Sequence, residues 1–292
     1  MSIAVFKLLL AAVMAALVLT GCTYWLAGER PDHASDDGSA VLRSIAFYYG
    51  DKPDWAVLEK YQMAVLEPEH GFDIRQHSAT EWLAYVSVGE TLESRAYYTQ
   101  IPERLVLGKN RVWHSMVMDV AQPEWADFLL EHVFRPIVEQ GYQGFFLDTL
   151  DSYQLIQENT AQAANSRAGL QQLIHRLKRE WPDHYIILNR GFELFPEVTD
   201  DVFALAFESL YQGWDEAAGE YVDVPASDRQ WLLAQVNHAR QARKIPVIAI
   251  DYCDPAQPAC TLSAARKIRA HGWVPFVADG GLVQLNSLSA MP

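Results

Sequence analysis

The sequence lacks the features on which nucleotide-binding and nucleic-acid-binding sites are usually built. No glycine-rich phosphate-binding pattern follows an apolar run, which argues against a nucleotide cofactor. Basic residues are scarce: 23 lysines and arginines stand against 37 aspartates and glutamates, and the formal net charge is −14. A surface with this much negative charge repels phosphate backbones and anionic lipid headgroups. Nucleic acid is therefore not an expected partner. The same charge is compatible with a cationic substrate.

Clustered histidines are also missing. The nine histidines never approach the H-x-H, H-x-x-x-H or H-E-x-x-H spacings that transition-metal sites commonly use. We therefore expect no metal and no other cofactor. Histidines distant in the chain could still meet in space, and an oxygen-only Ca²⁺ or Mg²⁺ site stays open.

The chain has one pronounced apolar run, the 12 residues 8–19, which is shorter than the roughly 20 residues of a membrane span. It follows Lys7 and leads into "LTGC", so it is typical of a bacterial lipoprotein signal. We expect cleavage before Cys22 and lipidation of Cys22, with membrane contact through this anchor only. The residue after Cys22 is Thr23 and not aspartate, which resembles the sorting pattern of Gram-negative lipoproteins bound for the outer membrane. The expected location is therefore the cell envelope, at the outer membrane facing the periplasm. The alternative is an ordinary cleaved signal in which Cys22 is incidental.

These features predict three segments: a signal peptide over 1–21, a lipidated cysteine with a polar tether over 22–42, and one folded domain over 43–292. Only two further cysteines exist, Cys253 and Cys260, in the proline-rich stretch "CDPAQPAC". In an oxidising compartment a structural disulfide between them is expected. Two free thiols binding a metal are the alternative, but other ligands are lacking nearby.

Short apolar runs alternate with helical patterns along this domain. Continuous apolar runs indicate strands buried on both faces of a parallel sheet. The candidate strands are 44–51, 63–69, 82–90, 115–120, 144–151, 185–193, 202–209, 246–254 and 273–279, and the candidate helices are 123–141, 166–182, 227–244 and 261–272. The pattern predicts an α/β fold, a single-domain (β/α)8 TIM-like barrel. Nine candidates exceed the eight strands of a barrel, and 115–120 and 273–279 are the weakest.

Acidic and aromatic residues follow the apolar runs, where a barrel carries its active site. Converging carboxylates suit either a metal or the hydrolysis of a glycosidic bond, which needs one protonated and one ionised carboxyl group. Asp148 follows "GFFL" and Glu208 follows "VFALAF", so burial can shift the pKa of each carboxyl group.

Six of these stretches resemble the motif series of glycoside hydrolase family 114. They are "IAFYYG", "AYVSVGE", "GFFLDTLDSY", "ILNRGFE", "FESL" and "IDYCD", and the resemblance extends over about residues 44–280. This family includes proteins similar to endo-α-1,4-polygalactosaminidases and to the hydrolase domain of the Pel polysaccharide system. The resemblance implies an α/β barrel and a polysaccharide substrate, a galactosamine/N-acetylgalactosamine polymer.

Site residues follow from the resemblance and from strand-end position. The resemblance implies that Asp148 and Glu208 are the catalytic pair, with Asp148 as nucleophile and Glu208 as acid/base by analogy with other α-retaining barrels. The residues expected to bind substrate are Tyr49, Asp51, Glu90, Asp151, Tyr153, Asn189, Glu193, Trp214, Asp251 and Tyr252. Aromatic rings among them can stack on sugars and attract protonated amines. Purely structural roles are the alternative. Tyr49 could pack in the core, Asn189 or Asp151 could cap the segment that follows, and Glu193 could be exposed to solvent.

The predicted function is a lipid-anchored hydrolase that cleaves α-1,4 bonds in a cationic galactosamine-containing polysaccharide with two carboxylates. One alternative is a noncatalytic polysaccharide-binding lipoprotein that keeps the groove but not the reaction. Another is a metal-dependent polysaccharide hydrolase or deacetylase. The sequence predicts no particular oligomeric state.

Overall fold

The structure is a computed structural model that describes residues 41–156 and 159–285. The predictions made for the signal peptide, for lipidation at Cys22 and for almost all of the tether lie outside the described residues. Within the two described ranges, no helix combines the length and the apolar character needed to cross a membrane.

The described residues form strands and helices in alternation. The strands are β1 Ile45–Tyr48, β2 Met63–Leu66, β3 Glu81–Ser87, β4 Glu90–Thr91, β5 Val106–Asn110, β6 Ser115–Met118, β7 Gly144–Asp148, β8 Tyr185–Asn189, β9 Ala204–Glu208, β10 Gln212–Asp215, β11 Glu220–Asp223, β12 Val247–Tyr252 and β13 Val274–Ala278. The helices are α1 Trp55–Leu58, α2 Pro123–Leu129, α3 Arg135–Gln140, α4 Thr160–Glu180, α5 Ala226–Ala239 and α6 Pro258–Arg269.

Eight strands form one parallel sheet in the order β1-β2-β3-β7-β8-β9-β12-β13. The first and last strands come together across the interior, where the Phe47 ring lies 4.9 Å from Phe146 and 5.4 Å from Phe276. All three rings are fully or almost fully buried. The sheet is therefore a nearly closed barrel with a packed interior, which confirms the predicted (β/α)8 fold.

The surplus ninth candidate strand lies outside the barrel. Residues 115–118 form β6, the central strand of an antiparallel sheet ordered β4-β6-β5. This small sheet follows β3 and precedes α2, so it extends one strand–helix unit at the end where the parallel strands finish. The other weak candidate, 273–279, contains β13 and completes the barrel.

Two helices begin earlier than the sequence predicts. α4 begins at Thr160 instead of Ser166, because Asn159 caps it by accepting from the backbone N–H of Ala161 at 2.8 Å. Ser166 is instead fully buried within the helix. α6 begins at Pro258, a residue suited to the first helical turn, instead of residue 261.

The helix predicted over 123–141 is interrupted. A π-helical turn over Leu130–Phe134 separates α2 from α3, and Pro136 follows it. Proline has no N–H to donate one turn back, so the local hydrogen-bond register changes there. Gly141, with φ of 101°, ends the helix as predicted.

The structure joins Cys253 and Cys260 in the disulfide expected from the sequence, with Cα atoms 6.0 Å apart. The bond links the residue after β12 to the first turn of α6. It lies beside the strand that carries Tyr252 to the mouth of the barrel.

Candidate active site

Asp148 and Glu208 end two barrel strands that have one strand between them. Asp148 is the last residue of β7, Glu208 is the last residue of β9, and both are half-buried. The strand between them, β8, ends in Asn189, which is 7% exposed. The Asn189 side-chain amide donates to Oδ1 of Asp148 at 2.9 Å and to Oε1 of Glu208 at 3.0 Å. One nitrogen therefore holds both carboxyl groups. The sequence predicts Asp148 and Glu208 as a pair and Asn189 as a substrate contact, but it does not predict that Asn189 bridges the pair.

Each carboxyl group has a tyrosine of its own on the side away from Asn189. The Tyr85 hydroxyl donates to Oδ2 of Asp148 at 2.8 Å, and the Tyr252 hydroxyl donates to Oε2 of Glu208. Burial, together with the charges of the carboxylates, raises the pKa of both tyrosines well above its usual value. Both hydroxyls are therefore protonated donors at any physiological pH.

Burial raises the pKa of both carboxyl groups, and the charge of Asp148 acts on Glu208 as well. Burial raises the pKa of Asp148, but hydrogen bonds from the Thr149 backbone, Tyr85 and Asn189 oppose this shift. Burial also raises the pKa of Glu208, the negative charge of Asp148 adds to this shift, and hydrogen bonds from Tyr252 and Asn189 oppose it. Because the charge of Asp148 raises the pKa of Glu208, an ionised Asp148 helps to keep Glu208 protonated. This is the division that acid and nucleophile require.

The backbone is strained immediately after two of these strand ends. Thr149 and Arg190 have φ of 62° and 60°, a region that non-glycine residues rarely occupy and that is least favourable for a β-branched side chain. Local hydrogen bonds hold both: Gly89 N–H donates to the Thr149 hydroxyl at 2.9 Å, and the Arg190 guanidinium donates to the Glu208 carbonyl at 2.6 Å. Such strain persists where surrounding contacts fix the chain, and it is concentrated at functional sites.

Tyr49 lies beside the carboxylate pair. Its ring is 4.9 Å from that of Tyr85, and burial followed by the charges of Asp148 and Glu208 raises the pKa of its hydroxyl well above the usual value. Its backbone N–H donates to the Leu282 carbonyl at 2.8 Å, which fixes its position after β1. Among the described residues its hydroxyl has no hydrogen-bond partner, so it is available to a ligand.

A second polar cluster lies next to Asp148. The Tyr153 hydroxyl and the Gln154 amide both donate to Oε1 of Glu193, each at 3.1 Å. The charge of Asp151 contributes to the raised pKa of Asp148 and of Glu193, which places Asp151 near both. Glu193 and Asp151 are half-buried, but Tyr153 is only 3% exposed. The expectation that the Tyr153 ring stacks on a sugar is therefore wrong: the ring is core, and its hydroxyl orients Glu193.

Trp214 stands on the β10–β11 hairpin that follows Glu208. Its indole N–H donates to Glu216 at 2.7 Å, and its ring lies 4.8 Å from that of Tyr221. The ring also packs on Gly280, where a Cβ would come within 2.4 Å of it. Gly280 follows β13, so Trp214 lies half-buried against the segment that succeeds the last barrel strand.

Glu90 is another expected substrate contact that the structure corrects. It is 5% exposed and accepts from Asn110 at 3.0 Å and from the Ser115 hydroxyl. Both partners belong to the small antiparallel sheet, so Glu90 anchors that sheet and is not open to a sugar. Asp51 is exposed on the loop after β1, and no hydrogen bond within the described residues joins it to the carboxylate pair.

Asp251 is the third expected substrate contact that the structure corrects. It has no exposed surface, so it cannot contact a substrate. Its carboxylate accepts hydrogen bonds from the backbone N–H groups of Leu210, Tyr211 and Gln212. Burial raises the pKa of Asp251 to about 6, against the opposing effect of these amides.

The sequence places Tyr85 and Arg190 near strand ends, but sequence reasoning assigned neither of them a role in the site. Both occur in the quoted motifs, and the available signal was their place near strand ends, shared with many structural residues. In the described part of the chain, no group of three or more histidine, cysteine, aspartate or glutamate side chains is arranged to hold a metal ion.

Comparison with known sequences agrees with this geometry. Residues 61–291 match the family model described as glycoside-hydrolase family GH114. A protein of Deinococcus radiodurans is 28% identical over 223 residues, which cover 73% of this chain and 69% of that protein.

Solved structures give the same assignment. The glycoside hydrolase domain of PelA from Pseudomonas aeruginosa is 36% identical, with a TM-score of 0.75, over 83% of this chain and 96% of that one. Ega3 of Aspergillus fumigatus, solved in complex with galactosamine, shares the fold at 12% identity and a TM-score of 0.58, over 82% of this chain and 91% of that one. The chain is a glycoside hydrolase and belongs to family 114.

Proposed function

We propose that this glycoside hydrolase cleaves α-1,4 bonds in a cationic, galactosamine-containing polysaccharide, with Asp148 as nucleophile and Glu208 as acid/base. The observation that carries the proposal is the bridged pair: two half-buried carboxyl groups held by one Asn189 amide at 2.9 and 3.0 Å. Each group also has its own tyrosine donor, so both are oriented before a substrate arrives.

The nearest oxygens of the pair are close enough for a retaining reaction. Two oxygens bonded to one nitrogen at these distances are at most about 6 Å apart. Retaining glycosidases have carboxyl groups about 5–5.5 Å apart, whereas inverting ones need about 6.5–9.5 Å to admit a water molecule.

The steps follow from the residues. An Asp148 carboxylate oxygen attacks the anomeric carbon while Glu208 gives its proton to the departing glycosidic oxygen, which breaks the sugar–oxygen bond and forms a glycosyl ester on Asp148. Glu208, now ionised, takes a proton from water as that water attacks the same carbon, which releases the sugar and regenerates both groups. Tyr85 and Asn189 hold Asp148 throughout, and Tyr252 and Asn189 hold Glu208.

Charge supports a polymer with protonated amines. The net charge is −14, and Asp151 and Glu193 add acidic groups beside the pair. A mouth lined by carboxylates attracts a cationic chain and raises its local concentration. Trp214 and Tyr49 offer rings for stacking and for cation–π contact with an ammonium group. The structural likeness to Ega3, solved with galactosamine, points to the same sugar class.

The anchor belongs to the same proposal. The "LTGC" stretch after the apolar run supports lipidation of Cys22 and a place at the outer membrane facing the periplasm. Incorporation of a labelled fatty acid into the full chain, and its loss in Cys22→Ala, tests this. Equal labelling of both chains contradicts it.

The test of activity uses a purified, partly deacetylated galactosamine polymer with product sizes read by mass spectrometry. Asp148→Asn and Glu208→Gln should keep the fold and lower turnover by orders of magnitude. Asp127→Asn is the matched control, because Asp127 is an exposed residue on α2 that pairs with Arg176. Wild-type turnover in both site variants would refute the assignment.

The same assay separates the alternatives. Polymer binding without any release of fragments by the wild type would favour a noncatalytic binding protein. Activity that a chelator removes and Zn²⁺ or Ca²⁺ restores would favour metal-dependent hydrolysis or deacetylation.

A further inference from the structure

Asp251 is a fully buried carboxylate whose hydrogen-bonding capacity is used by three consecutive backbone amides. Leu210 N–H donates to Oδ1 at 2.6 Å, Tyr211 N–H donates to Oδ1 at 3.2 Å and Oδ2 at 3.0 Å, and Gln212 N–H donates to Oδ2 at 3.1 Å. Both oxygens are therefore occupied, and the residue has no exposed surface for a ligand.

These amides belong to the turn that leaves the barrel directly after Glu208. The turn connects β9 to β10, and Leu210 within it is fully buried. Buried N–H groups without acceptors destabilise a fold. The Asp251 carboxylate is the acceptor that lets the chain turn here, so the direction in which β9 ends depends on it.

Strand β12 thus holds Glu208 in two ways. Successive residues of a strand point to opposite faces, so Tyr252 donates to the Glu208 carboxyl group while Asp251 binds the main chain that follows it. The parallel pairing of Ile250 with Glu208 sets this register. On the other side, Arg190 donates to the Glu208 carbonyl at 2.6 Å.

We propose that Asp251 is a positioning residue for the acid/base Glu208: by binding the three amides of the following turn, it fixes the backbone from which that carboxyl group reaches the glycosidic oxygen. This inference rests on the proposed function. It assigns Asp251 no contact with the substrate and no proton transfer.

The test is Asp251→Asn, the isosteric change, measured on the full folded domain with the galactosamine polymer. An asparagine turns one NH2 group toward the backbone donors, so the turn shifts. A displacement of about 1 Å in a catalytic group can cost about 100-fold in rate. We expect kcat per folded molecule to fall about 100-fold while KM changes less than about twofold, because substrate contacts are intact.

The control is Thr80→Val. Thr80 is a buried residue that precedes β3, at the opposite end of the barrel, where its hydroxyl donates to the Tyr61 carbonyl at 2.9 Å. Its loss should lower the melting temperature without changing kcat or KM. If Asp251→Asn behaves like this control, or if it raises KM at constant kcat, the inference is overturned.

If Asp251→Asn does not fold, Asp251→Glu decides. It keeps the charge and both acceptor oxygens but is one methylene longer, so it displaces the turn; we expect lower kcat at unchanged KM, and wild-type kcat would overturn the inference. Failure of the proposed function is a distinct result: the wild type itself then releases no fragments. Failure of this inference leaves an active wild type and an equally active Asp251 variant.

Discussion

The two tyrosine–carboxylate pairs allow the roles of Asp148 and Glu208 to be read from pH profiles. Tyr85 donates only to Asp148 and Tyr252 only to Glu208, as judged from the hydrogen bonds of the described residues. Each bond favours the ionised carboxylate, so it lowers the pKa of its own partner. Tyr85→Phe and Tyr252→Phe should therefore each raise the pKa of one carboxyl group, while the aromatic ring of the substituted residue stays in place.

A hydrogen bond to a charged group contributes about 1.5–3 kcal/mol. Since 1.36 kcal/mol corresponds to one pH unit, loss of the bond should move the affected limb of the kcat/KM profile upward by about one to two units. The profile has an acid limb set by ionisation of the nucleophile and a basic limb set by deprotonation of the acid. If Asp148 is the nucleophile, Tyr85→Phe moves the acid limb and Tyr252→Phe moves the basic limb.

The assay is the initial rate of fragment release across the pH range, with circular dichroism at each pH to confirm the fold. Because the two carboxyl groups interact, the limbs belong to the pair, and the informative observation is which limb moves. The reverse pattern would exchange the roles of Asp148 and Glu208. A profile that neither variant displaces would refute the reasoning, since it would mean that these hydroxyls do not affect the ionisation of the catalytic groups.

Two further predictions concern the bridge and the disulfide. Asn189→Ala should lower kcat about 100-fold, measured by fragment release, because both carboxyl groups lose the shared donor that orients them. Conversion of Cys253 and Cys260 to serine should lower the free energy of unfolding by about 2.5 kcal/mol in urea titrations, from the chain entropy of a short closed loop. Full activity of Asn189→Ala would mean that Asn189 has no role in the site. An unchanged urea midpoint of the double serine variant would mean that the loop is equally ordered without the disulfide.

The barrel could be predicted because its strands are continuous apolar runs, which only a sheet covered on both faces explains. The start of α4 at Thr160 was harder to predict from the sequence, because both asparagine and serine are suitable N-caps and only packing decides between Asn159 and Ser166. Sequence alone could not tell which of the adjacent residues Asp251 and Tyr252 points toward the carboxylate pair. A strand's period of two residues is visible in a sequence, but its phase depends on the neighbouring strands. Glu90 was misread for a similar reason, since it stands in a short strand of the added sheet.

The site draws on strand ends that are far apart in the chain. Tyr49 follows the first barrel strand, its backbone is fixed by Leu282 after the last one, and Asp148 and Glu208 come from strands between. A chain released from the ribosome without the segment beyond β13 therefore lacks the anchor for Tyr49. Contacts between the earliest and latest portions of a polypeptide are slow to form, because a long loop must close first. Activity is thus expected only after the whole domain has folded. A prematurely terminated chain should therefore have no hydrolase activity at all.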